Sequence, residues 1–394
     1  MLRSLFSGIS GLRAHQTMLD VTGNNIANVN TTGFKSSQTA FQDTLSQMVK
    51  SGAAAQDGIG GSNPAQVGLG VKLAGISTSF TQGSSQLTGK STDMMIQGDG
   101  FFVVSKGGTD FFTRAGNFDF DSTGQMVLPG EGAKVQGWMA VNGVVDTNAP
   151  LSDLKVPVGT LMQAKATQNA ALAGNLPADA TVGTLIERTT KAYDTEGNER
   201  TLTLGFTRTA AGWDLVASDG TATSPTTSLA FTDGELTTTA PITLGSTTPV
   251  TVAVTGLTSF AGVTSVAVAS QDGYDAGELQ AFSLGADGTI TGTFSNSLKQ
   301  VIGRMAMSSF TNPGGLEKAG GSLFATTANS GAAQIGTAGT GGRGTLTGGA
   351  LEMSNVDLSS EFTSLIVAQR GFQANSRVIT TSDDVLQELI NLKR

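Results

Sequence analysis

The stretch that decides the fold is LSSEFTSLIVAQRGFQANSRVITTSDDVLQELI, residues 358–390. Its apolar residues recur at alternating spacings of three and four, which is the period of an amphipathic α-helix. Asn355 or Asp357 is placed to cap this helix, and the carboxylate of Glu361 would lie near its electropositive start. The apolar stripe runs through Leu358, Phe362, Leu365, Gln369, Phe372, Ser376, Ile379, Asp383, Leu386 and Ile390. The sequence therefore predicts a long C-terminal helix.

The N-terminus carries a second stripe with the same spacing. It runs through Leu2, Leu5, Ile9, Leu12, Gln16, Leu19, Gly23 and Ile26. Two amphipathic helices at opposite ends of one chain suit packing between subunits, and two ordinary helices on a globular core are the alternative. The residues that we predict to pack between subunits are Leu5, Ile9, Leu12, Leu19, Ile26, Phe362, Leu365, Phe372, Ile379, Leu386 and Ile390.

Three polar residues interrupt the C-terminal stripe at seven-residue intervals: Gln369, Ser376 and Asp383. A polar column of this kind suits a helix with neighbours on one flank and water on the other, as in the wall of a tube built from several helices. We therefore predict that these three side chains face the central channel of an assembly. This interpretation fails if all three are buried in the apolar core of a single chain.

The middle of the chain has a period of two, which is typical of half-buried β-strands. Arg200–Thr207 and Val250–Val254 alternate strictly, Val263–Val268 nearly does, and shorter runs such as Phe101–Val104 read as strands too. Turn residues, mostly Asp, Asn and Gly, separate these runs. The sequence therefore predicts short strands joined by tight turns.

The segment between Asn28 and Val71 is rich in Gly, Ser, Gln and Asn, which favours a loop with Gly52–Pro64 as its mobile part. The complete pattern predicts an α+β, mostly β fold in which domains are nested within one another. The predicted domains are one of the terminal helices and linker, 1–71 with 355–394, a discontinuous β domain of 72–145 with 285–354, and an inserted β domain of 146–284.

The composition argues against several classes of function. The chain has 394 residues, a formal net charge of −8 and no cluster of Lys and Arg, whereas nucleic-acid binding needs a basic patch. It has no Cys and one His, His15, which removes thiolate and His-rich centres. No apolar run is long enough for a membrane span, and the start lacks the apolar core of a Sec signal peptide. We therefore expect no nucleic acid, no membrane insertion and no metal.

Two short motifs resemble ligand sites, and neither fits its context. Gly339–Gly344 matches G-x-G-x-x-G, but its flanks are Gly- and Thr-rich instead of a strand and a helix, which argues against a nucleotide cofactor. Asp119–Gly124 begins like a calcium loop, yet Thr123 and Gly130 occupy two ligand positions, so a β-turn is the better interpretation. Because no catalytic constellation is present either, we predict a chain that is not an enzyme and has no cofactor.

Three segments carry long, specific motifs. They are SGLRAHQ and LDVTGNNIANVNTTGFK within residues 10–35, then IQGDGFFVV, FTRAGNF and VQGW within 96–138, and EFTSLIVAQRGFQANSRVITTSD at 361–383. Together they resemble the bacterial flagellar rod and hook family over about 1–145 and 285–394. The inserted segment 146–284 carries no motif of this kind.

The resemblance implies a structural subunit that polymerises with copies of itself into a helical tube. It also implies that the terminal helices pair as a coiled-coil-like inner domain lining the channel, with the discontinuous β domain around it and 146–284 outermost. Hook-type members carry a large middle domain, so 146–284 indicates a curved, flexible tube outside the cell that transmits torque from rod to filament as a universal joint. A distal rod protein is the alternative. The implied partners are the distal rod, the hook cap, the hook–filament junction protein and the flagellar type III export apparatus, whose use accounts for the missing Sec signal.

Two further functions stay open from the residues alone. A binding module would need a pocket of convergent polar groups in the β insertion, and a carboxylate-based hydrolase would need two carboxylates at a fixed separation. We also expect the terminal helices to be largely unstructured in the single chain, because short isolated helices are marginally stable in water.

Overall fold

The computed structural model describes residues 2–54, 60–156, 159, 161–237, 240–245 and 249–391. The chain divides into two compact units. The first unit comprises Met1–Val156, Ser283–Thr291 and Val301–Arg394, and the second comprises Pro157–Phe282 and Gly292–Gln300. The predicted α+β, mostly β class is confirmed, since two helices flank a long succession of strands. The further division of the first unit into helices and a separate β domain stays a prediction.

Two long helices stand at the two ends of the described chain, α1 (Leu2–Ala27) and α2 (Leu358–Asn391). The first twelve strands are β1 (Ser37–Asp43), β2 (Ser46–Lys50), β3 (Ala65–Gly68), β4 (Val71–Thr78), β5 (Ser85–Leu87), β6 (Met94–Gln97), β7 (Phe101–Lys106), β8 (Thr109–Thr113), β9 (Asp119–Phe120), β10 (Met126–Leu128), β11 (Ala133–Met139) and β12 (Ser152–Asp153). The next twelve are β13 (Leu161–Met162), β14 (Asn169–Asn175), β15 (Leu185–Tyr193), β16 (Glu199–Arg208), β17 (Trp213–Ser218), β18 (Thr227–Leu229), β19 (Phe231–Thr232), β20 (Glu235–Leu236), β21 (Ile242–Leu244), β22 (Val250–Thr258), β23 (Ala267–Gln271) and β24 (Gly277–Leu284). The last are β25 (Thr289–Phe294), β26 (Lys299–Met305), β27 (Met307–Ser309), β28 (Glu317–Gly320), β29 (Leu323–Ala325), β30 (Gln334–Gly336), β31 (Thr345–Gly348) and β32 (Ala350–Glu352), with a 3₁₀ turn at Pro313–Gly315.

The core of the first unit lies on an antiparallel sheet that includes the run β26-β11-β7-β8-β29-β28. Phenylalanine rings pack edge to face on this sheet: the rings of Phe112 and Phe310 are 4.8 Å apart, and those of Phe101 and Phe324 are 5.9 Å apart. Trp138 belongs to the same buried cluster.

The second unit is built from two sheets that share one core. One sheet has the order β19-β20-β22-β14-β23, and the other has the order β15-β16-β17-β18. Alternate residues of β16, β17 and β22 point inward, among them Phe206, Trp213 and Val252, all of which are fully buried. The residues between them point to the opposite face, as the two-residue period requires, and Thr is the commonest of these in β16 and β22.

Most of the strands predicted from alternation are confirmed, including those at Phe101–Val104, Arg200–Thr207 and Val250–Val254. The prediction at Val263–Val268 was wrong for all but its end, since the strand there is β23. The loop predicted between Asn28 and Val71 was wrong as well. Its described residues contain β1, β2 and β3, which pair with one another or with β4. The described ends of Gly52–Pro64 are joined by a bridge, and residues 55–59 lie outside the described residues.

Both terminal helices are confirmed. Asp357, and not Asn355, caps α2, because its carboxylate accepts a hydrogen bond from the Ser359 backbone N–H at 2.9 Å. The expectation that the helices are unstructured in the single chain was wrong, because they are formed and pair with each other. The antiparallel pairing gives each helix a partner without any second subunit.

Candidate assembly surface

The helices α1 and α2 approach each other closely through small residues. Gly8 lies beside Ile379, and Gly11 lies against Asn375. A Cβ atom added to Gly11 would sit 2.7 Å from Asn375 Oδ1, so a larger side chain would have to displace Asn375. On α2, Ala368 is completely buried. The contact within the chain therefore uses small side chains and leaves much of the larger apolar surface free.

A close packing contact and a set of hydrogen bonds hold the helices together further along the pair. The imidazole of His15 lies directly over Gly371, where a Cβ atom would clash with the ring. Asn25 Nδ2 donates to Glu361 Oε1 at 2.9 Å and to the Ser37 carbonyl at 2.8 Å, which ties both helices to the start of β1. Burial raises the pKa of the Glu361 carboxyl, and the hydrogen bond from Asn25 opposes that shift. The helix pair is thus attached to the β structure at one end.

The residues predicted to pack between subunits fall into two groups in the single chain. Most are half-buried: Leu5, Ile9, Leu12, Leu19, Ile26, Leu365, Phe372, Ile379 and Leu386. Two are exposed, Phe362 by 52% and Ile390 by 68%. None is fully buried, so every one of them retains surface that a neighbouring subunit can cover. Their packing between subunits stays a prediction.

The polar column has the same incomplete burial. Gln369 and Asp383 are exposed, and Ser376 is half-buried. The three side chains are therefore not buried together in an apolar core of the single chain. Such burial would have excluded a position facing the channel. That interpretation stays a prediction, because it concerns an assembly.

Sequence reasoning missed a second set of apolar residues on the helices. Phe6, Ile366, Val367, Val378 and Val385 are all exposed, Phe6 by 62% and Ile366 by 56%. They lie outside the single stripe that the spacing of three and four selects. The run of consecutive apolar residues LIVA at 365–368 was the signal available in the sequence. A helix with one partner needs only one apolar stripe, so apolar residues beyond that stripe indicate a second contact.

The two-stranded ribbon formed by β1 to β4, residues 37–50 and 65–78, is a further exposed apolar surface that was missed. Phe41 pairs with Leu73 and Gln47 with Val67 in an antiparallel register. The side chains of Leu45 and Met48 are exposed, as are most others on the ribbon. A ribbon exposed in this way has little hydrophobic stabilisation of its own, which indicates contact with another surface.

The ribbon is anchored to α1 at the start of β4. Ser10 Oγ accepts a hydrogen bond from the Val71 backbone N–H at 3.2 Å. Across the ribbon, the Thr44 backbone N–H donates to the Gly70 carbonyl at 3.0 Å. The exposed apolar residues of α1, α2 and the ribbon therefore belong to one compact unit, and we call their combined surface the assembly surface.

The first unit also contains a buried cluster of three charged residues. Glu352 binds Lys35 Nζ at 2.7 Å and Arg114 at 3.3 Å, and the three side chains are at most 2% exposed. Lys35 Nζ also donates to the Thr81 carbonyl at 2.7 Å. Each charged residue comes from a different stretch of the chain, so the cluster joins the N-terminal, central and C-terminal segments.

Burial and charge act in opposite directions within this cluster. Desolvation lowers the pKa values of Lys35 and Arg114, while the negative charge of Glu352 raises both. Gly33 lies beside the cluster, against the backbone of Arg114 and Ala115. Its φ is +67°, and a Cβ atom there would lie 2.5 Å from the Ala115 backbone nitrogen, so only glycine fits. This explains physically why Gly33 and Lys35 occur together in the N-terminal motif.

The two ligand-like motifs have structural roles. The carboxylate of Asp121 accepts hydrogen bonds from the Thr123 N–H and hydroxyl and from the Gln125 N–H, which confirms the predicted turn. Gly339–Gly344 lies in turns between β30 and β31, with no helix after it. Within the described residues, no group of three or more His, Asp and Glu side chains is arranged to hold a metal ion. Neither described helix has a stretch long and apolar enough to cross a membrane.

Three family sequence models match the chain. The one described as flagella basal body rod protein matches residues 5–35, the flagellar hook protein FlgE/F/G D1 domain matches 95–168, and the flagellar basal body rod FlgEFG protein C-terminal matches 347–392. The matches at 5–35 and 347–392 include most of α1 and α2. The D1 match includes Arg114 and the strands β7, β8 and β11 of the aromatic core.

Similar proteins span the full chain. The flagellar hook protein FlgE of Borreliella burgdorferi is 40% identical over 447 aligned residues, with both chains covered completely. FlgE of Salmonella typhimurium is 35% identical, with 99% of this chain and 100% of that protein covered. The flagellar basal-body rod protein FlgG of Bacillus subtilis is 34% identical, with both chains covered completely.

A solved structure supports the fold. The crystal structure of Helicobacter pylori flagellar hook protein FlgE2 superposes with a TM-score of 0.53, covering 68% of this chain and 100% of that one at 15% identity. At that identity the likeness concerns the fold alone. The identities over the complete length carry the assignment, and the chain belongs to the flagellar rod and hook protein family as a hook-type member.

Proposed function

We propose that the chain is the repeating structural subunit of a flagellar hook and that it polymerises through the assembly surface. The observation that carries this proposal is the large apolar area that α1, α2 and the ribbon leave exposed after pairing. Each such side chain contributes roughly 1.5–3 kcal/mol when a neighbour buries it fully. Contiguous exposed apolar surface on a water-soluble domain is typical of protein–protein contact.

The same surface supports a helical polymer. We propose that each contact between two copies joins unlike patches of the assembly surface, such as the exposed residues of a helix with those of the ribbon. Contacts between unlike patches generate open helical tubes when the rotation does not close. In such a tube the helices would line a channel, with Gln369, Ser376 and Asp383 facing it, and the second unit would lie outermost.

The proposed role is mechanical and not catalytic. A curved tube whose outer contacts can slide would transmit torque from the rod to the filament as a universal joint. The proposed partners are further copies of the chain, the distal rod, the hook cap and the hook–filament junction protein. We propose that the chain leaves the cell through the flagellar type III export apparatus without a Sec signal and works outside the cell.

A straight rod of the basal body is the second candidate. The full-length similarity to FlgG of Bacillus subtilis favours it, because that protein is named as a rod protein and aligns over 395 residues. Both candidates polymerise through terminal helices, so they differ in the curvature of the tube and not in the assembly surface.

Electron microscopy of the purified chain at rising concentration tests the proposal. The comparison is with a chain that lacks residues 1–30 and 358–394. We expect curved tubes from the full chain only. Straight tubes from the full chain would favour the rod. Monomers at every concentration, or tubes from the truncated chain, would contradict assembly through the terminal helices.

A further inference from the structure

A short β-hairpin of the first unit carries two exposed valines at its tip. Val141 and Val144 are 73% and 71% exposed, and their backbones exchange two hydrogen bonds, of 2.9 and 3.1 Å. Asn142 and Gly143 between them have φ of +53° and +79°, as a tight two-residue hairpin turn requires. Residues directly opposite each other in a hairpin project from the same face, so both valines point the same way. The tip is therefore a compact apolar projection, which we call the valine knob.

The chain holds the valine knob in place without burying either of its valines. The next residue, Val145, points to the opposite face of the strand and packs against the aromatic core. Branching at Cβ leaves each valine side chain few rotamers. Little conformational freedom would be lost if a partner covered the knob, which favours binding.

A cavity of the first unit has room for the valine knob. It has a volume of about 400 Å³, it lies between the loop after α1 and the β28–β29 hairpin, and we call it the socket. The apolar residues of its lining are Phe34, Ala115, Leu128, Leu323 and Phe324. A cavity of about 150 Å³ admits benzene, which has as many carbon atoms as two valine side chains. The socket can therefore take both valines of the knob.

The socket also carries one unbalanced positive charge. Its charged residues are Lys35, Glu131 and Lys318, and the first two have ion-pair partners in the chain, whereas Lys318 has none among the described residues. Lys318 Nζ donates to the Lys35 carbonyl and to Ser37 Oγ, so one of its three N–H groups is free. It lies 4.9 Å from the centre of the Phe34 ring, which places the ammonium beside the apolar wall. Partial desolvation lowers the pKa of Lys318, and no carboxylate opposes that shift.

The hairpin carries the opposite charge on the same face as its valines. Asp146 is the only charged residue of 135–152. It is two residues from Val144, so an extended chain directs both side chains to one face. One carboxylate oxygen accepts a hydrogen bond from the Asn148 N–H, and the exposed carboxylate forms no ion pair among the residues described. The knob and the socket are therefore complementary in both apolar surface and charge.

We propose that the valine knob of one copy inserts into the socket of a second copy, with Asp146 beside Lys318. No residue of the hairpin lines the socket of its own copy, because the hairpin follows β11, and β7 and β8 separate β11 from β29 in the sheet. A contact that joins two different places on identical subunits repeats in one direction and builds an open chain of copies. This inference rests on the proposed function and adds a contact outside the assembly surface.

Paired cysteines test the contact without interference, because the chain has no cysteine of its own. One variant carries Val144→Cys with Ser322→Cys, the latter in the lining of the socket. The controls are the two single variants and Val182→Cys with Ser322→Cys, since Val182 is 68% exposed in the second unit. A short bis-maleimide reagent is added to tubes checked by electron microscopy, and the products are separated on a denaturing gel.

The paired variant should give a ladder of dimers, trimers and higher oligomers. A mixture of the two single variants should give dimers only, and each single variant alone, like the Val182→Cys control, should stay monomeric on the gel. Tubes of the paired variant without cross-linked oligomers, or an equal ladder from the Val182→Cys control, would overturn the contact while leaving the proposed function intact.

The critical concentration for assembly, measured by sedimentation, is a second readout. Val144→Asp should raise it about ten-fold or more, because a charge replaces a valine that the socket buries. Asp146→Lys should raise it about two- to five-fold, and Val182→Asp should leave it unchanged. Circular dichroism confirms that each variant is folded. No change for Val144→Asp would overturn the contact alone, whereas failure of the unmodified chain to form tubes would overturn the proposed function with it.

Discussion

Replacing Glu352 with Gln removes the ion-pair partner of two buried cations, Lys35 and Arg114. Glu352 and Lys35 are fully buried, Arg114 is 2% exposed, and the Lys35 Nζ to Glu352 Oε1 distance is 2.7 Å. Gln has nearly the same volume as Glu, so the change removes charge and not packing. Removing one partner of a buried ion pair costs about 3–5 kcal/mol. We expect the free energy of unfolding of the first unit to fall by that amount.

The two tryptophans of the chain allow each unit to be followed separately. Trp138 belongs to the first unit and Trp213 to the second, and both are buried. Denaturant unfolding is measured by fluorescence in Trp213→Phe and Trp138→Phe backgrounds. In the Trp213→Phe background, which retains Trp138, Glu352→Gln should shift the transition to lower denaturant. The Trp213 transition, read in the Trp138→Phe background, should stay where it was.

The matched control is Glu131→Gln. Glu131 binds Lys106 Nζ at 2.6 Å, but Lys106 is 46% exposed, so this pair should contribute at most about 1 kcal/mol. If Glu131→Gln and Glu352→Gln lowered the free energy of unfolding equally, as read from Trp138 fluorescence, the reasoning would be refuted. So would a loss below about 1 kcal/mol for Glu352→Gln, because the buried cluster would then be unimportant for stability.

The pH dependence adds an independent check. Burial lowers the pKa of Lys35 below its usual 10.5, and Glu352 opposes this shift. Without Glu352 the pKa falls further, so the unfolded chain binds more protons than the native chain over a wider alkaline range. Stability rises with pH wherever that holds. The deficit of Glu352→Gln should therefore shrink as the pH rises, and a deficit that grows instead would contradict the assignment.

The remaining predictions concern the second unit and assembly. Burial raises the pKa of Asp272, but amide hydrogen bonds outweigh it and lower the pKa to about 2, so its stabilisation is present above the ordinary value of 3.8 and is lost as the pH falls towards 2. Asp272→Asn should therefore cost about 1–2 kcal/mol near neutral pH in the Trp213 unfolding signal, and no cost there would contradict this. Ile366→Asp should prevent tube formation without lowering the melting temperature, whereas Val182→Asp, at an apolar site in the second unit that is at least as exposed, should leave tubes intact in the microscope. A chain that lacks residues 157–282 should still form tubes with altered curvature, and loss of all assembly would make the second unit essential to the lattice.

The elements that the sequence predicted well are those whose pattern repeats many times. The stripe from Leu358 to Ile390 spans most of α2, and a period sustained that long has no common alternative to a helix. Arg200–Thr207 alternates because one face of β16 meets the core of the second unit and the other meets water. In both cases one side of the element is buried within the chain itself.

The ribbon could not be predicted for the opposite reason. Its strands β2, β3 and most of β4 are exposed on both faces, so burial imposes no alternation on the sequence. The wrongly predicted strand at Val263–Val268 shows the opposite error. Its residues nearly alternate, yet only Ala267 and Val268 belong to β23.

The buried ion cluster was also beyond sequence reasoning. Lys35, Arg114 and Glu352 are far apart in the chain, and nothing local to any of them indicates a partner. Likewise, the spacing of α1 predicted Leu5 and Leu12 as packing residues but not the role of Gly8 and Gly11, whose importance depends on the approach of α2. Small residues are recognised as an interface only when the partner helix is in place.

The most direct test of assembly through the assembly surface is an electron cryo-microscopy map of tubes grown from the purified chain. The quantity to read is the exposure of Phe6, Leu45, Phe362 and Ile366, all of which are exposed in the single chain. We predict that neighbouring subunits bury all four side chains. A tube in which these side chains remain in solvent, with subunits joined through residues 157–282 instead, would contradict the account.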